Sequence, residues 1–254
     1  MRARLVFALA WLCAVPGAMA QDTRKSGFDY MSRDSQAMQM DDLANPGMLS
    51  VLDGESLWNA PAGSSQKSCA SCHGDGTVSM KGVAARYPAF DEASGKPIDL
   101  VGRIDQCRRE RQQAPGLARE GHDSLALTTY IGLQSRGMPV SPPDDARLTP
   151  FRADGKALYT RRMGQLNFSC AQCHDEHAGG HVGASPIPQA HPTGYPIYRL
   201  EWQSMGSLQR RLRNCMAGTR AEPFAYAAPE FIDLELFLAA RAAGMKVETP
   251  GVRP

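Results

Sequence analysis

The chain lacks three features that would each have set its class. The apolar run Leu5 to Val15 is too short to span a bilayer, and no later segment is long enough either. No stretch alternates polar and apolar residues for any length, which speaks against a sheet-built core. Charge of one sign is also missing: 28 Lys and Arg stand against 26 Asp and Glu. Without Arg2 and Arg4 the basic count falls to 26, equal to the acids, so nothing here points to nucleic acid.

What is present begins with an address. Arg2 and Arg4, the apolar run, and Ala18 to Ala20 before Gln21 read as a secretory signal peptide over residues 1–20. The mature protein is expected to be soluble and exported, with a bacterial periplasm as its place. Cys13 leaves with the signal, so six of the seven cysteines remain.

Four of these six lie in two copies of one motif. Cys69, Cys72 and His73 form one Cys-x-x-Cys-His unit, and Cys170, Cys173 and His174 form the other. This is the attachment pattern of haem c: two thiols on one helical turn add to the haem vinyls, and the adjacent imidazole reaches the iron. A four-cysteine zinc site is the alternative, but it leaves both following histidines unexplained. The expected cofactors are two covalently bound haem c groups.

The motifs belong to a duplication. Asp53-Gly54 and Leu57-Trp58 recur as Asp154-Gly155 and Leu158-Tyr159, an offset of 101 that also maps Cys69 onto Cys170. Tyr87-Pro88 recurs as Tyr195-Pro196 at 108, which places a seven-residue insertion between Gly179 and Tyr195. The offset of 108 then carries Arg103 and Cys107 onto Arg211 and Cys215, and Gly137-Met138 echoes Gly244-Met245 at 107. Phe231, Leu234, Leu238 and Ala242 give the second closing helix a clear stripe, whereas Leu125 to Gln134 is more ambiguous because of Thr128, Thr129 and Gly132. The predicted fold is all-α: a tandem duplication of two class I-like cytochrome c domains, 51–150 and 151–254, with an N-terminal arm at 21–50. That arm is polar and Met-rich, and is expected to pack on a neighbour or partner.

Cys107 and Cys215 are left over. In an oxidising compartment a spare pair is first a disulfide candidate. The alternative is that each is the sixth ligand of a haem, in competition with Met138 and His122 in the first unit. In the second unit the competitors are Met216, Met245, His177, His181 and His191. The loop histidines have no counterparts in the first unit and read as surface or structural residues. Arg103 and Arg211, four residues before each cysteine, share its helical face and favour thiolate over thiol. Arg210, Arg213 and Arg220 add to Arg211 what looks like a pocket for a small dianion.

At this point the sequence resembles the SoxA family, the dihaem subunits of the SoxAX cytochromes of bacterial thiosulfate oxidation. The likeness rests on two Cys-x-x-Cys-His units, each followed by Arg-x-x-x-Cys, the second continuing into Met216. It covers essentially the whole mature chain. The resemblance implies His73 and Cys107 as axial ligands of haem 1, and His174 and Cys215 as those of haem 2. It also implies Cys215 as the active-site residue, carried as a persulfide, with Arg211 binding thiosulfate. The implied reaction is that of an L-cysteine S-thiosulfotransferase, joining thiosulfate oxidatively to a cysteine on a SoxYZ-like carrier protein. The implied partners are a SoxX-like monohaem cytochrome c subunit and an electron-accepting cytochrome c. Thiolate ligation lowers a haem's potential, so haem 1 is expected to be structural, with turnover carried by haem 2 and the partner's haem. Two competing readings are a plain dihaem electron carrier, with Met138 and Met245 or histidines as ligands, and a dihaem peroxidase, which requires an open haem site.

Overall fold

The structure, a computed structural model, describes residues 22–254; the predicted signal peptide, 1–20, and its Cys13 lie outside the described residues. Ser26 and Ser32 each start a helical turn by accepting a backbone N–H with the side chain. The first turn is a 3₁₀ segment, Gly27–Tyr30, and the second is helix α1, Arg33–Met40. The first half then runs through α2 (Gly47–Asn59), α3 (Cys69–His73), α4 (Gly76–Ser79), the hairpin β1 (Ala89–Asp91) and β2 (Lys96–Ile98), α5 (Leu100–Cys107) and α6 (His122–Leu133). The second half follows with α7 (Thr149–Thr160), a π-type turn at Gln172–Glu176 and a small hairpin, β3 (His181–Val182) with β4 (Ser185–Pro186). It closes with β5 (Ile197–Arg199), β6 (Ser204–Gly206), α8 (Leu208–Gly218), α9 (Pro229–Arg241) and β7 (Gly251–Arg253).

The protein is mainly helical, and the duplication is visible at the level of single residues. Ala89 pairs with Ile98 in the first hairpin, and Ile197 with Gly206 in the second. Asp99 caps α5 and Ser207 caps α8, each accepting from the backbone three residues on. Strands are confined to segments of two or three residues, too short to show alternation in the sequence.

Each half has its core between two helices. Val51 and Trp58 of α2 meet Leu127, Tyr130 and Ile131 of α6; Leu158 and Tyr159 of α7 meet Leu234 and Leu238 of α9. The repeated Asp-Gly pairs have a reason here. A Cβ at Gly54 would collide with the Ala126 carbonyl, and one at Gly155 with the Asp233 carbonyl, so glycine lets each helix pair touch. Helix α6 shows no stripe because it is buried all round, from Ser124 to Gly132. Helix α9 keeps a polar side, and its predicted stripe of Phe231, Leu234, Leu238 and Ala242 is buried.

The two halves join about a local two-fold. Gly137 donates its N–H to the Val247 carbonyl at 2.8 Å, and the equivalent Gly244 donates to Val140 at 2.8 Å. Val140 donates to Met245 at 2.7 Å and Val247 to Met138 at 2.9 Å, around an antiparallel bridge between Pro139 and Lys246. Gly137 and Gly244 sit at φ of 79° and 84°, which explains the Gly-Met echo. Beside this bridge a buried polar cluster also crosses the boundary. Gln209 donates to Asp99 at 3.3 Å and to Glu235 at 2.7 Å, and Arg119 pairs with Asp99.

The arm packs on the chain's own second half and forms no domain of its own. Ser26 Oγ donates to Glu248 at 2.5 Å, Val252 N–H to Gln39 at 2.9 Å, and Asn45 to the Pro250 carbonyl at 3.0 Å. These bonds satisfy backbone and side-chain groups at β7 that would otherwise be buried without partners. Among the described residues no helix is long and apolar enough to cross a membrane.

Candidate active site

Each half gathers its three remaining cysteines. Ser68 caps α3 by accepting the Ser71 N–H at 3.0 Å, and Ser169 does the same for Gln172 at 3.2 Å, so each motif begins at a fixed turn. Gly63 and Gly164, both at positive φ, press the preceding loops against the segments after α5 and α8; a Cβ there would strike the Gln112 or Thr219 carbonyl. This close approach sets the helix that ends in Cys107, and the helix that carries Cys215, beside the motif of its own half. Cys107 lies within electrostatic reach of Cys69 and Cys72, and Cys215 of Cys170 and Cys173. The cysteines of the described residues are unpaired. The two motif pairs sit in separate clusters, so they do not form one four-cysteine zinc site.

The second cluster opens onto a cavity of about 150 Å³ lined by His174, Tyr195, Arg199, Arg211, Cys215 and Arg253, among others. His174 Nδ1 lies 2.7 Å from the Pro188 carbonyl, a bond that fixes the ring's tautomer and direction. The same imidazole lies close enough to the Cys215 sulfur to act on its charge, and both line the cavity. Burial pushes the Cys215 thiol up, but the neighbouring His174 and the Arg211 charge outweigh it and hold the thiol below its ordinary range. Burial pushes the Tyr195 phenol in the same cavity up.

The first cluster has the same parts in looser surroundings. His73 is exposed and packs on Trp58 with ring centroids 5.7 Å apart. Trp58 in turn donates to the Gly74 carbonyl at 3.0 Å. Burial pushes the Cys107 thiol up, and Arg103 offsets this only in part.

An imidazole and a sulfur lining one cavity, with two attachment cysteines near them, is the donor set a covalently held haem takes, so the second cluster fits that group. The competing ligands are engaged elsewhere, except His191, which lines the same cavity but is turned to the arm. Met216 is buried in a core with Ala221 and Phe231. Met138 and Met245 are tied by their backbones into the bridge between the halves, and the Met138 side chain packs against Gly82. His122 pairs with Asp53 and Asp123. His177 and His181 are exposed, and His191 is half-buried with its Nδ1 2.8 Å from the Lys25 carbonyl.

The cationic cluster differs from the sequence expectation. Arg211 lines the cavity with Cys215, but Arg210 lies over the Trp202 ring at 4.1 Å and donates to the Met205 carbonyl. Arg213 donates to the Phe224 carbonyl and lies 4.8 Å from the Tyr226 ring. Arg220 is exposed beyond the end of α8. The reason is helical geometry: residues five and two before Cys215 do not share its face, whereas the residue four before it does. Arg199 of β5 and Arg253 of β7 line the cavity instead. Arg253 is occupied by Glu248 at 3.0 Å and by Gln39. Arg199 was not singled out from the sequence, although the offset of 108 reaches it from Asp91; nothing in the sequence pointed to Arg253, Pro188 or the arm residues Tyr30 and Met31 that complete the wall.

Comparison with known proteins came out consistently. A family model described as the SoxA/TsdA cytochrome c domain matches residues 53–140 and 154–247. The chain is similar to the L-cysteine S-thiosulfotransferase subunit SoxA of Pseudaminobacter salicylatoxidans, 40% identical over 94% of this chain and 84% of that one. It is 38% identical to the subunit of the same description from Rhodovulum sulfidophilum, over 91% of this chain and 81% of that one. A solved structure, the crystal structure of SoxXA from P. pantotrophus, superposes with a TM-score of 0.88 at 35% identity, covering 91% of this chain and 87% of that chain.

Proposed function

Because the chain belongs to the SoxA family of L-cysteine S-thiosulfotransferase subunits, we propose that Cys215 is the sulfur at which thiosulfate is joined to a carrier cysteine, with Arg211 binding the dianion. The observation that carries this reading is the placement of the Cys215 sulfur in one cavity with both an oriented imidazole and an arginine. The balanced reaction joins the outer sulfur of thiosulfate to a carrier thiol, forms one S–S bond, and releases one proton and two electrons.

Covalent haem is expected of a cytochrome c domain. The motifs support one in each half, held by Cys69 and Cys72 with His73 and Cys107 as ligands, and by Cys170 and Cys173 with His174 and Cys215. The halves are taken as domains 51–150 and 151–254. When bound, the group of the second half would supply, with the partner's haem, the one-electron acceptors through which the oxidation's electrons leave. The protein's own residues do the rest. Arg211 offsets the repulsion between a dianion and an anionic sulfur, a charge-assisted contact that also orients the substrate. The Pro188 carbonyl keeps the His174 ring aimed. The carrier's cysteine must reach Cys215 through the open side of the cavity, so it has to be borne on an extended segment.

The SoxXA structure to which the chain is similar supports a SoxX-like monohaem subunit as partner. A SoxYZ-like carrier, an electron-accepting cytochrome c and a periplasmic setting complete the proposal. The test is Cys215→Met in the haem-loaded complex. Thiosulfate-dependent reduction of the acceptor should vanish, and near-infrared magnetic circular dichroism should show one histidine/thiolate signature replaced by histidine/methionine. Turnover that survives this change would sink the assignment of Cys215.

A further inference from the structure

The arginine of the first half is neutralised. Arg103 pairs with Asp91 at 2.9 Å, the Asp91 side chain being only 6% exposed, and donates to Gln106 at 2.6 Å. Asp91 is the last residue of β1. The last residue of β5, in the same register, is Arg199, and the offset of 108 that relates them also relates Arg103 to Arg211. The carboxylate that occupies the arginine in one half is thus a second arginine in the other.

Two guanidiniums facing one cavity repel each other unless an anion lies between them. The Arg199 side chain is 12% exposed, and its Nη2 meets the Glu201 carboxylate at 2.6 Å, a group itself 64% exposed. Such a water-exposed pair is weak and easily exchanged. The Arg199 Nε is buried and has no partner, and among the described residues no carboxylate pairs with Arg211. The Arg199 charge is felt at both Cys215 and Tyr195, whose side chains share the cavity.

We propose that Arg199 is a second anion-binding residue of the Cys215 cavity, holding the oxygen-bearing end of thiosulfate opposite Arg211. This rests on the reading of Cys215 as the reacting sulfur and adds what fixes the substrate's direction. Thiosulfate must present its single outer sulfur to Cys215, so its three oxygens need donors on another side. One arginine on α8 offers one edge; a second, on β5, defines an orientation, because planar guanidiniums hold oxyanions by paired N–H bonds.

The experiment is titration calorimetry of the haem-loaded complex with thiosulfate and with the unreactive dianion sulfate. Arg199→Gln should weaken both about tenfold to a hundredfold, in the range of a lost charge-assisted hydrogen bond. Arg199→Asp, which recreates the first half's pair by engaging Arg211, should remove measurable binding. Arg199→Lys should retain most of it, and Glu201→Gln should tighten it by freeing Arg199. In steady state the KM for thiosulfate should rise in parallel while the haem spectrum and melting temperature stay native, which a merely structural role would not give. Affinities of Arg199→Gln and Arg199→Asp within about twofold of native would overturn the proposal. If Cys215→Met keeps turnover, the underlying reading fails separately, whatever the calorimetry shows.

Discussion

The two halves hold their cysteines on the same backbone and surround them differently. In the first, His73 stands exposed against Trp58, and Arg103 is bound to a buried aspartate. In the second, the ring of His174 is aimed by the Pro188 carbonyl, Arg211 faces the cavity, and the arm lays Tyr30 and Met31 along the wall. Each difference has a separate source. The insertion after the second motif brings the segment with Pro188, one exchanged residue on a hairpin brings Arg199, and a segment from before the first half brings the wall. The duplicated scaffold supplies a cysteine next to a Cys-x-x-Cys-His turn; these additions distinguish the surroundings of the second cysteine from those of the first.

The sharpest way to break that comparison is to exchange the roles of the two cysteines. Cys107→Met should leave the rate of thiosulfate-dependent acceptor reduction near native in a folded protein, whereas Cys215→Met should abolish it. Equal losses in both variants would end the claim that the halves have diverged in function. The arginines come next. Arg211→Ala should lower kcat/KM by about 10²-fold to 10³-fold, as for loss of a donor to developing charge, and Arg103→Ala should leave it unchanged.

Stability should show the reverse ordering. Asp91→Ala leaves the Arg103 guanidinium half-buried without its carboxylate and should cost about 1–3 kcal/mol, read from denaturant unfolding. Its counterpart Arg199→Ala removes a residue whose partner is exposed, and should cost less.

The smallest effect concerns the joint between the halves. Burial, with the Asp99 charge adding, pushes the Glu235 carboxyl up to about 8; Gln209 and Arg119 act against this, and Glu120 with it. A carboxyl raised on folding binds its proton more tightly in the native state, so stability falls as pH rises toward that value. Raising the pH from about 6 to about 9 should therefore lower the Tm, and the fall should be shallower in Glu235→Gln, which keeps the acceptor for Gln209.

Much of this was legible in the chain. The offsets of 101, 108 and 107 paired the two halves and their cysteine sets residue by residue, because a duplication preserves register; the short hairpins were not foreseen. The helical spacing of four picked out Arg211. It also showed why its neighbours Arg210 and Arg213 face elsewhere, although composition suggested a single cluster. Arg199 was within reach, since applying the same offset to Asp91 finds it, but nothing local marks an aspartate replaced by an arginine. Helix α6 escaped the period test because burial on every side erases the stripe. Pro188 and the arm could not be found in this way. One acts through a backbone carbonyl, which carries no residue preference, and the other through contacts more than two hundred residues apart in sequence.

Those distant contacts impose an order in time. Part of the cavity wall is built from Gly27, Tyr30 and Met31 of the arm and from Arg253 of β7, clasped through Gln39 and Glu248. A chain that emerges from one end presents Cys170, Cys173 and His174 well before β7 exists to meet the arm. Until then the arm has no partner to clasp, and the cavity beside the second motif lacks its outer wall.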